Sequence, residues 1–472
     1  MSSLLESTLL ELVEALAARR ASPVELMRET LARVRATADR LNAVVARRDD
    51  DELLAAAGDA EARIARGEAR PLEGVPFGVK DLEDAAGLPT TYGSLPFRDA
   101  PPATRDSTQV ARLRAAGAIV LGKTNTPELG YTAITKNLVF GPTLSPWDAA
   151  RSPGGSSGGS AAALAGEVLP LVTASDGGGS IRIPASFVGA FGLKPSFGRV
   201  PRGPLPRWDH GATAVYGPLT KTVEDAAFLL DVVAGPDARD PRSLPPPEAS
   251  FVDAVRRPLA RGLRVAYSPD LGHAVVQGDV AAAVAAGARA FEELGCAVEE
   301  IRGGPPDLGA HWGILGAFEL AGHIAGLRPQ HDASFSRALM EGIRMAEHVT
   351  PRWWGELCEL RADLVEWVAG VFDEFDLLVT PTAPFDPPAA KGPFPAETEG
   401  RRQPATAVAA FTIPFNLSWN PAASVRAGLS RAGLPVGLQI VGPQHADALV
   451  LQAARAFERA RPWHPAWPMR GA

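Results

Sequence analysis

Cysteine is nearly missing from this chain, with only Cys296 and Cys358 among 472 residues. Two cysteines so placed make neither a disulfide framework nor a metal-binding spacing, and a reducing cytoplasm is the expected compartment. Long hydrophobic runs are missing as well. No apolar stretch approaches the roughly 18 residues that cross a bilayer, and Met1-Ser2-Ser3-Leu4-Leu5-Glu6 lacks the basic and apolar segments of a secretory leader. The expectation is a soluble protein with no membrane partner. Positive charge is not in excess either: the net charge is −7 and the pI about 5.7. That excludes nucleic-acid binding through a basic surface and suits small-molecule chemistry. Lysine is scarce, with six (Lys80, Lys123, Lys136, Lys194, Lys221, Lys391) against 41 arginines. Arginine keeps its proton in proteins and a buried lysine can lose it, so each surviving lysine is a candidate base. Codon composition explains the bias equally well.

What is present is ordinary globular composition, 46% hydrophobic and 21% charged, enough for a sizeable core. Leu9, Leu12, Val13 and Leu16 fall at helical spacing. Ser22-Pro23-Val24-Glu25 opens a second helix with a serine cap, a first-turn proline and a glutamate placed to close a capping box. Residues 51–66 form a third. The period then changes: Val75–Val79, Ala118–Leu121, Val168–Thr173, Leu263–Tyr267, Asp376–Thr380 and Val436–Val441 read as short buried strands. Helices at Thr108–Ala116, Ser160–Gly166, Thr222–Val233 and 280–295 alternate with them. Alternation of this kind predicts an α/β fold, a parallel or mixed sheet covered on both faces. Proline-rich stretches at 236–250, 302–308 and 381–405 read as surface loops, and no linker divides the chain.

Three glycine motifs compete for the chemistry. Gly117–Thr124 satisfies the phosphate-loop pattern GxxxxGK[ST], but its interior, Ala118-Ile119-Val120-Leu121, is a β-type run. A segment cannot be a buried strand and a phosphate cradle at once. Gly154-Gly155-Ser156-Ser157-Gly158 satisfies the GxSxG nucleophile elbow, which needs a strand immediately before it. The preceding Ser145–Pro153 is proline-bearing and polar, and the late histidines His445 and His464 have no distinguishing context. A bare Gly/Ser stretch is usually a flexible linker. Here, however, 154–160 runs into Ala161-Ala162-Ala163-Leu164-Ala165, a strong helix former, and a second turn, Asp176-Gly177-Gly178-Gly179-Ser180, ends in serine only 24 positions after Ser156.

Two serines and a lysine supply a nucleophile, a proton relay and a base without histidine. With Ser180 as nucleophile, the amides of residues 177–180 are placed as its oxyanion donors. Ser156 would pass the proton on to Lys80, which must be neutral part of the time. On residue type alone, a solvent-facing strand lysine is the better reading of Lys80, because unpaired lysines are rarely buried.

Residues 72–82, 121–128, 139–148, 152–163 and 174–195 resemble the amidase signature family in order and at the expected intervals. So do Asp376–Pro381, Phe411–Asn416 and Leu434–Gly442. The resemblance implies one α/β domain over residues 1–472, with 1–66 as an N-terminal helical segment and a mixed, twisted sheet between helical layers. It implies Lys80 as base, Ser156 as bridging serine, usually held by a cis peptide, and Ser180 as acyl-forming nucleophile. It further implies Gly177, Gly178, Gly179 and Ser180 as oxyanion amides, and Gly130, Tyr131 and Thr132 lining the acyl pocket. Ser157, Asp176 and Arg182 would support the loops. A β-branched residue is often found where this chain has Gly177, but only the amide matters there. The implied reaction is hydrolysis of a C–N amide bond through an acyl-enzyme, with no metal or cofactor; ester, anilide and carbamate variants share its chemistry. The alternative is the glutaminase-type component of a glutamyl-tRNA amidotransferase. Against it stands Ala405–Ala410, apolar apart from Thr406, where polar groups would be expected to hold glutamine. Trp208, Trp312, Trp353, Trp354 and Trp419 are candidate aromatic walls for an aryl or alkyl amide, although most tryptophans are simply packed. A catalytically dead binding scaffold would not need all of Lys80, Ser156 and Ser180. A homodimer is compatible with the sequence, which does not name the substrate.

Overall fold

In the computed structural model, residues 3–206, 208–462 and 467 are described. The expected strands form two mixed sheets. The larger has seven strands in the order Leu219–Thr220, Phe191–Lys194, Ala422–Leu429, Pro435–Val441, Leu377–Pro381, Arg264–Tyr267 and Ala297–Glu300. The smaller has four: Val44–Arg47, Ile119–Thr124, Pro76–Lys80 and Leu171–Val172. The last three of these are parallel neighbours, and Val44–Arg47 runs antiparallel along the edge. That edge strand lies inside the segment read from sequence as helical. It is short, and only the pairing of Val44, Ala46 and Arg47 with residues 122–124 defines it.

Alternation along the strands shows why both faces of the larger sheet are covered. Leu377, Val379, Leu438 and Ile440 pack on one face against Val280, Val284, Phe291, Phe457 and the helix Val223–Val233. Leu378 and Val441 point the other way, into a second core with Ile183, Phe187, Leu364, Phe411 and Phe415. Fully burying a side chain of this size stabilises the fold by roughly 1.5–3 kcal/mol.

The N-terminal helices are Leu9–Ala17, Pro23–Leu41 and Asp50–Ala65. Ser22 caps the second, its Oγ accepting from the amides of Val24 and Glu25. The reciprocal arm from Glu25 is not made; Ser22 Oγ donates instead to Glu61. The complete capping box belongs to Thr8 and Glu11 on the first helix.

The phosphate-loop pattern is resolved as a strand. Ile119–Thr124 is hydrogen-bonded on both sides, and a Cβ on Gly122 would stand 2.0 Å from the carbonyl oxygen of Ala46. Glycine is therefore required here by a neighbouring strand. Lys123 is fully buried, donating to the Glu83 carbonyl and to Thr90 Oγ1 at 3.1 Å, with Asp81 at 3.6 Å. Gly122→Ala should lower stability by about 1–3 kcal/mol through overpacking, read as a fall in melting temperature. ATP should leave the melting temperature of the unmodified protein unchanged, and an ATP-dependent rise would restore the phosphate reading.

Candidate active site

Lys80 closes the strand Pro76–Lys80, paired in parallel with Thr124 on one side. On the other, its amide donates to Thr173 Oγ1 at 3.0 Å, while the Thr173 amide donates to the Gly78 carbonyl at 2.9 Å. The lysine is 1% exposed. Its Nζ lies 2.8 Å from Ser156 Oγ, 2.8 Å from Ser157 Oγ, 2.9 Å from Ser175 Oγ and 3.3 Å from the Ser175 carbonyl oxygen. Three hydroxyls and a carbonyl surround it, with no carboxylate in ion-pair contact. Burial drives its pKa down to about 7; the charges of Asp176 and Glu83 act upward, and Arg202 acts downward. The solvent-facing alternative for Lys80 is therefore excluded.

Ser156 follows a cis peptide from Gly155, and Ser157 precedes the helix Gly158–Ala165, whose residues are all buried. No strand leads into this turn, so the elbow pattern at Ser156 lacks its required context. His445, one of the late histidines the elbow needs, does not line the cavity at the serines; His464 lies outside the described residues. The first turn of Gly158–Ala165 is tied to the strand ends: Ser160 Oγ donates to the Thr173 carbonyl at 2.8 Å and lies 2.7 Å from Thr124 Oγ1. The two serine turns meet directly, the Ser157 amide donating to the Ser180 carbonyl at 3.3 Å.

Asp176 organises the second turn. Its carboxylate accepts from the amides of Gly179 at 2.7 Å, Ile181 at 3.2 Å and Arg182 at 3.4 Å, and from the Arg182 guanidinium at 2.9 and 3.0 Å. Asn416 Nδ2 adds a bond of 2.9 Å. Burial alone would raise this carboxyl's pKa, but the Arg182 charge and these hydrogen bonds outweigh it and hold the group ionised far below its ordinary range. Arg182 reaches on to Gln439 Oε1 at 2.7 Å and to Asn416 Oδ1 at 2.5 Å. Gly179 sits at φ +131°, a conformation closed to other residues, with Thr412 and Ile183 against the space a Cβ would take. Its amide is committed to Asp176, which removes it from the four expected oxyanion donors, whereas within the described residues the N–H groups of Gly177, Gly178 and Ser180 carry no hydrogen bond.

Lys80, Ser156, Ser175, Gly177, Gly178, Ser180 and Gly130 line one cavity of about 420 Å³, within the usual size of a small-ligand pocket. Ser180 Oγ makes no hydrogen bond among the described residues and is open to it. Of the expected acyl-pocket residues, only Gly130 is on the wall. Tyr131 packs its ring against Gly342, its hydroxyl 3.5 Å from the Gly313 carbonyl, and Thr132 Oγ1 turns back to the Ile134 carbonyl at 3.1 Å. Trp208 and Trp312 line the cavity; Trp353, Trp354 and Trp419 do not. Ala405–Ala410 is not on the wall either. Part of it packs in the core behind Gly178, so its apolar character does not describe the pocket.

Sequence reasoning missed Ser175, which shares the lysine with the two serines, and Glu83, a buried carboxyl on the wall that accepts from Ser107 Oγ at 2.6 Å. Burial pushes Glu83 upward, opposed by bonds from Ser107 and Thr173. It also missed the ring cluster of Tyr92, Phe97 and His323 around Trp208, with centroid separations of 4.3–6.2 Å. No motif marks these positions. Among the described residues no three His, Cys, Asp or Glu side chains gather to hold a metal ion.

Comparison with known proteins agrees with this geometry. The family model described as Amidase matches residues 25–451. The chain is 38% identical to an acylamidase of Rhodococcus erythropolis, covering 96% of this chain and 95% of the relative. It is 36% identical to the A-type subunit of a glutamyl-tRNA(Gln) amidotransferase from Ralstonia nicotianae, over 98% and 99% respectively. A crystal structure of a bacterial aryl acylamidase of the amidase signature family superposes with a TM-score of 0.93 at 34% identity, covering 99% of both chains. A lysine buried among serine hydroxyls, a glycine turn ending in an open serine and these matches along the whole chain lead to one assignment: the chain belongs to the amidase signature family.

Proposed function

We propose that the protein hydrolyses aryl or alkyl carboxamides through an acyl-enzyme on Ser180, with Ser156 as proton relay and Lys80 as base. At the level of reaction class it is an amidase, a hydrolase of carbon–nitrogen bonds other than peptide bonds. The observation that carries the residue roles is the Lys80–Ser156 contact of 2.8 Å in the cavity onto which Ser180 opens.

Hydroxyl bookkeeping supports the direction of proton flow. Ser157 Oγ donates to the Ser175 carbonyl at 3.2 Å, so towards Lys80 it is an acceptor. Neutral lysine has two N–H donors for Ser157 and Ser175 and one lone pair left for the Ser156 hydroxyl hydrogen. As Ser180 Oγ bonds to the carbonyl carbon, its proton passes to Ser156 and that of Ser156 to Lys80 Nζ. The carbonyl oxygen gains negative charge against the free amides of Gly177, Gly178 and Ser180, each such donor typically lowering the barrier by about 3–4 kcal/mol. Collapse breaks the C–N bond, and the departing amine takes a proton back through Ser156. Water then attacks the ester by the same relay, releasing the acid and freeing Ser180.

The ring cluster of Tyr92, Phe97, Trp208 and His323 on the wall supports an aryl or alkyl amide. Ester, anilide and carbamate cleavage fall within the same chemistry. The amidotransferase reading is favoured by the near-complete match to a component of such an enzyme. A cytoplasmic location is supported by the two unpaired cysteines, Cys296 buried and Cys358 exposed, and no helix among the described residues is long and apolar enough to cross a membrane.

A serine-directed fluorophosphonate should label the protein at Ser180, and labelling that persists in Ser180→Ala would overturn the nucleophile. Lys80→Arg keeps the charge and cannot supply a neutral amine; a loss of at least about 10²-fold in kcat is expected, and near-normal turnover would exclude the base. Because the base must be unprotonated and its pKa is lowered to about 7, kcat/KM should rise about tenfold per pH unit below 7 and level off above about 8. A pH-rate profile flat from 6 to 8 would contradict this. Anilide turnover without glutaminase activity is expected of the isolated chain, and the reverse, together with co-purification of a tRNA-binding partner, would favour the alternative.

A further inference from the structure

Several polar side chains on the cavity wall have no part in the proposed proton relay, His210 among them. His210 lies on the loop that faces the Asp176–Ser180 turn, and its Cδ2 stands 3.4 Å from where a Cβ on Gly177 would be. The imidazole therefore packs within van der Waals reach of residue 177, beside an amide that carries no hydrogen bond among the described residues. The ring stacks on Trp312 at 5.5 Å and 23°. Trp312 in turn covers Gly178, its indole 2.6 Å from that residue's would-be Cβ, and donates from Nε1 to Thr213 Oγ1 at 3.2 Å.

The loop around His210 is clamped. Glu319 accepts from the amides of Asp209 and Gly211, both at 2.7 Å, and Thr213 Oγ1 contacts the carbonyls of Gly177 and His210 at 2.9 and 2.8 Å. His210 itself is held at φ +48°, a left-handed conformation that non-glycine residues adopt at a cost of order 1–3 kcal/mol and that concentrates at functional sites. The two ring nitrogens differ. Nδ1 is buried with no hydrogen-bond partner, facing Gly316, whose would-be Cβ lies 2.4 Å away. Among the described residues Nε2 makes no hydrogen bond, it is not among the buried unpaired atoms, and the residue lines the cavity, so this nitrogen opens on the chamber.

A proton on Nδ1 would be a buried N–H without an acceptor, which is costly, so the proton belongs on Nε2. Burial also holds the imidazole below its ordinary pKa, against the upward pull of Glu319 and Asp209. We propose that His210 is a specificity-determining donor, its neutral Nε2–H meeting an ether or carbonyl oxygen or a ring nitrogen that the substrate carries close to its scissile carbonyl. The preferred substrates are then amides with a hydrogen-bond acceptor beside the reacting group, over the hydrocarbon analogues of equal shape. A buried donor left unpaired by the hydrocarbon analogue is the source of the discrimination.

This rests on the aryl-amide reading above, and the test separates the two. Two isosteric pairs are compared by kcat/KM: methoxyacetanilide against butyranilide, and 2′-methoxyacetanilide against 2′-ethylacetanilide. In the unmodified enzyme, at least one pair should show a preference for the oxygen-bearing member roughly tenfold beyond the ratio of the same two compounds in alkaline hydrolysis. His210→Phe, which keeps the stack on Trp312, should reduce that preference to the alkaline ratio, and His210→Gln, which retains an N–H, should restore part of it. Fluorophosphonate labelling of each variant reports that its site is folded. A preference in the unmodified enzyme no greater than the alkaline ratio in both pairs overturns the proposal whatever the variants do, as does an undiminished preference in labelled His210→Phe. Failure to turn over any of the four anilides would instead count against the aryl-amide reading itself.

Discussion

The buried ion pair between Asp176 and Arg182 is the constraint on which the rest of the site depends. Both side chains are fully excluded from solvent. Removing charges from water costs several kcal/mol each, and only good geometry and further hydrogen bonds recover it. Here they are supplied by three backbone amides, Asn416 and Gln439. Each partner comes from a different part of the fold: the turn itself, the helix Ile413–Leu417 and the central strand Pro435–Val441. The turn that presents Ser180 is thus fastened to the middle of the larger sheet, and loss of one partner would leave an uncompensated buried charge, at a cost of about 3–5 kcal/mol.

That arrangement also sets the electrostatics of the lysine. An ionised carboxylate as close as Asp176 favours the ammonium form of Lys80, and a lysine paired with it would stay charged. Arg182 occupies the carboxylate, so Asp176 acts on Lys80 only at a distance, while burial acts without a competing contact. The result is a lysine with its pKa lowered to about 7, as the proposed base requires, and among the described residues no histidine hydrogen-bonds to Ser156 or Ser180. Lys123 is equally buried, and burial lowers its pKa as well, against the pull of Asp81; with Asp81 at 3.6 Å and the Glu83 carbonyl as partners it ties the Asp81–Thr90 segment to the strand. Of the six lysines, Lys80, Lys123 and Lys194 are fully buried, and only Lys80 lines the cavity. Scarcity therefore distinguished neither buried lysines from exposed ones, such as Lys136 and Lys391, nor a proposed base from a tie.

How much was legible follows from where the information sits. Strands such as Pro435–Val441 and the cap at Ser22 are written in local patterns, apolar runs and capping residues; the strand differs only at its end, and the cap only in the unmade arm from Glu25. Val44–Arg47 was not legible because its burial is set by a partner some 75 positions away. At the site, the serine turns were visible because glycine and serine at those spacings have few other uses. The commitment of the Gly179 amide to Asp176 was not, since it depends on which amide faces the carboxylate after the turn has formed. Tyr131 and Thr132 were placed by resemblance in the pocket, but the path of the chain after Gly130, itself at φ +70°, carries their side chains away from it.

The same distinction separates reaction from substrate. The groups proposed to break the bond lie on strand ends and helix starts locked by the two sheets, and they suit the amidase and the amidotransferase reading equally. The walls come from elsewhere: Tyr92 and Phe97 from the loop after Lys80, Trp208 and His210 from the loop before Val215–Tyr216, and Trp312 and His323 from the helix Gly309–His323. These segments carry no motif, because what they share is a position around the cavity and not a spacing along the chain. Chemistry held in the core can then stay fixed while three separate surface segments alter what is admitted. A single glycine couples the two layers. Gly177 carries an amide with no hydrogen bond among the described residues, proposed to face the developing oxyanion, and the His210 ring packs within van der Waals reach of the same residue, so reaction and wall meet at one position.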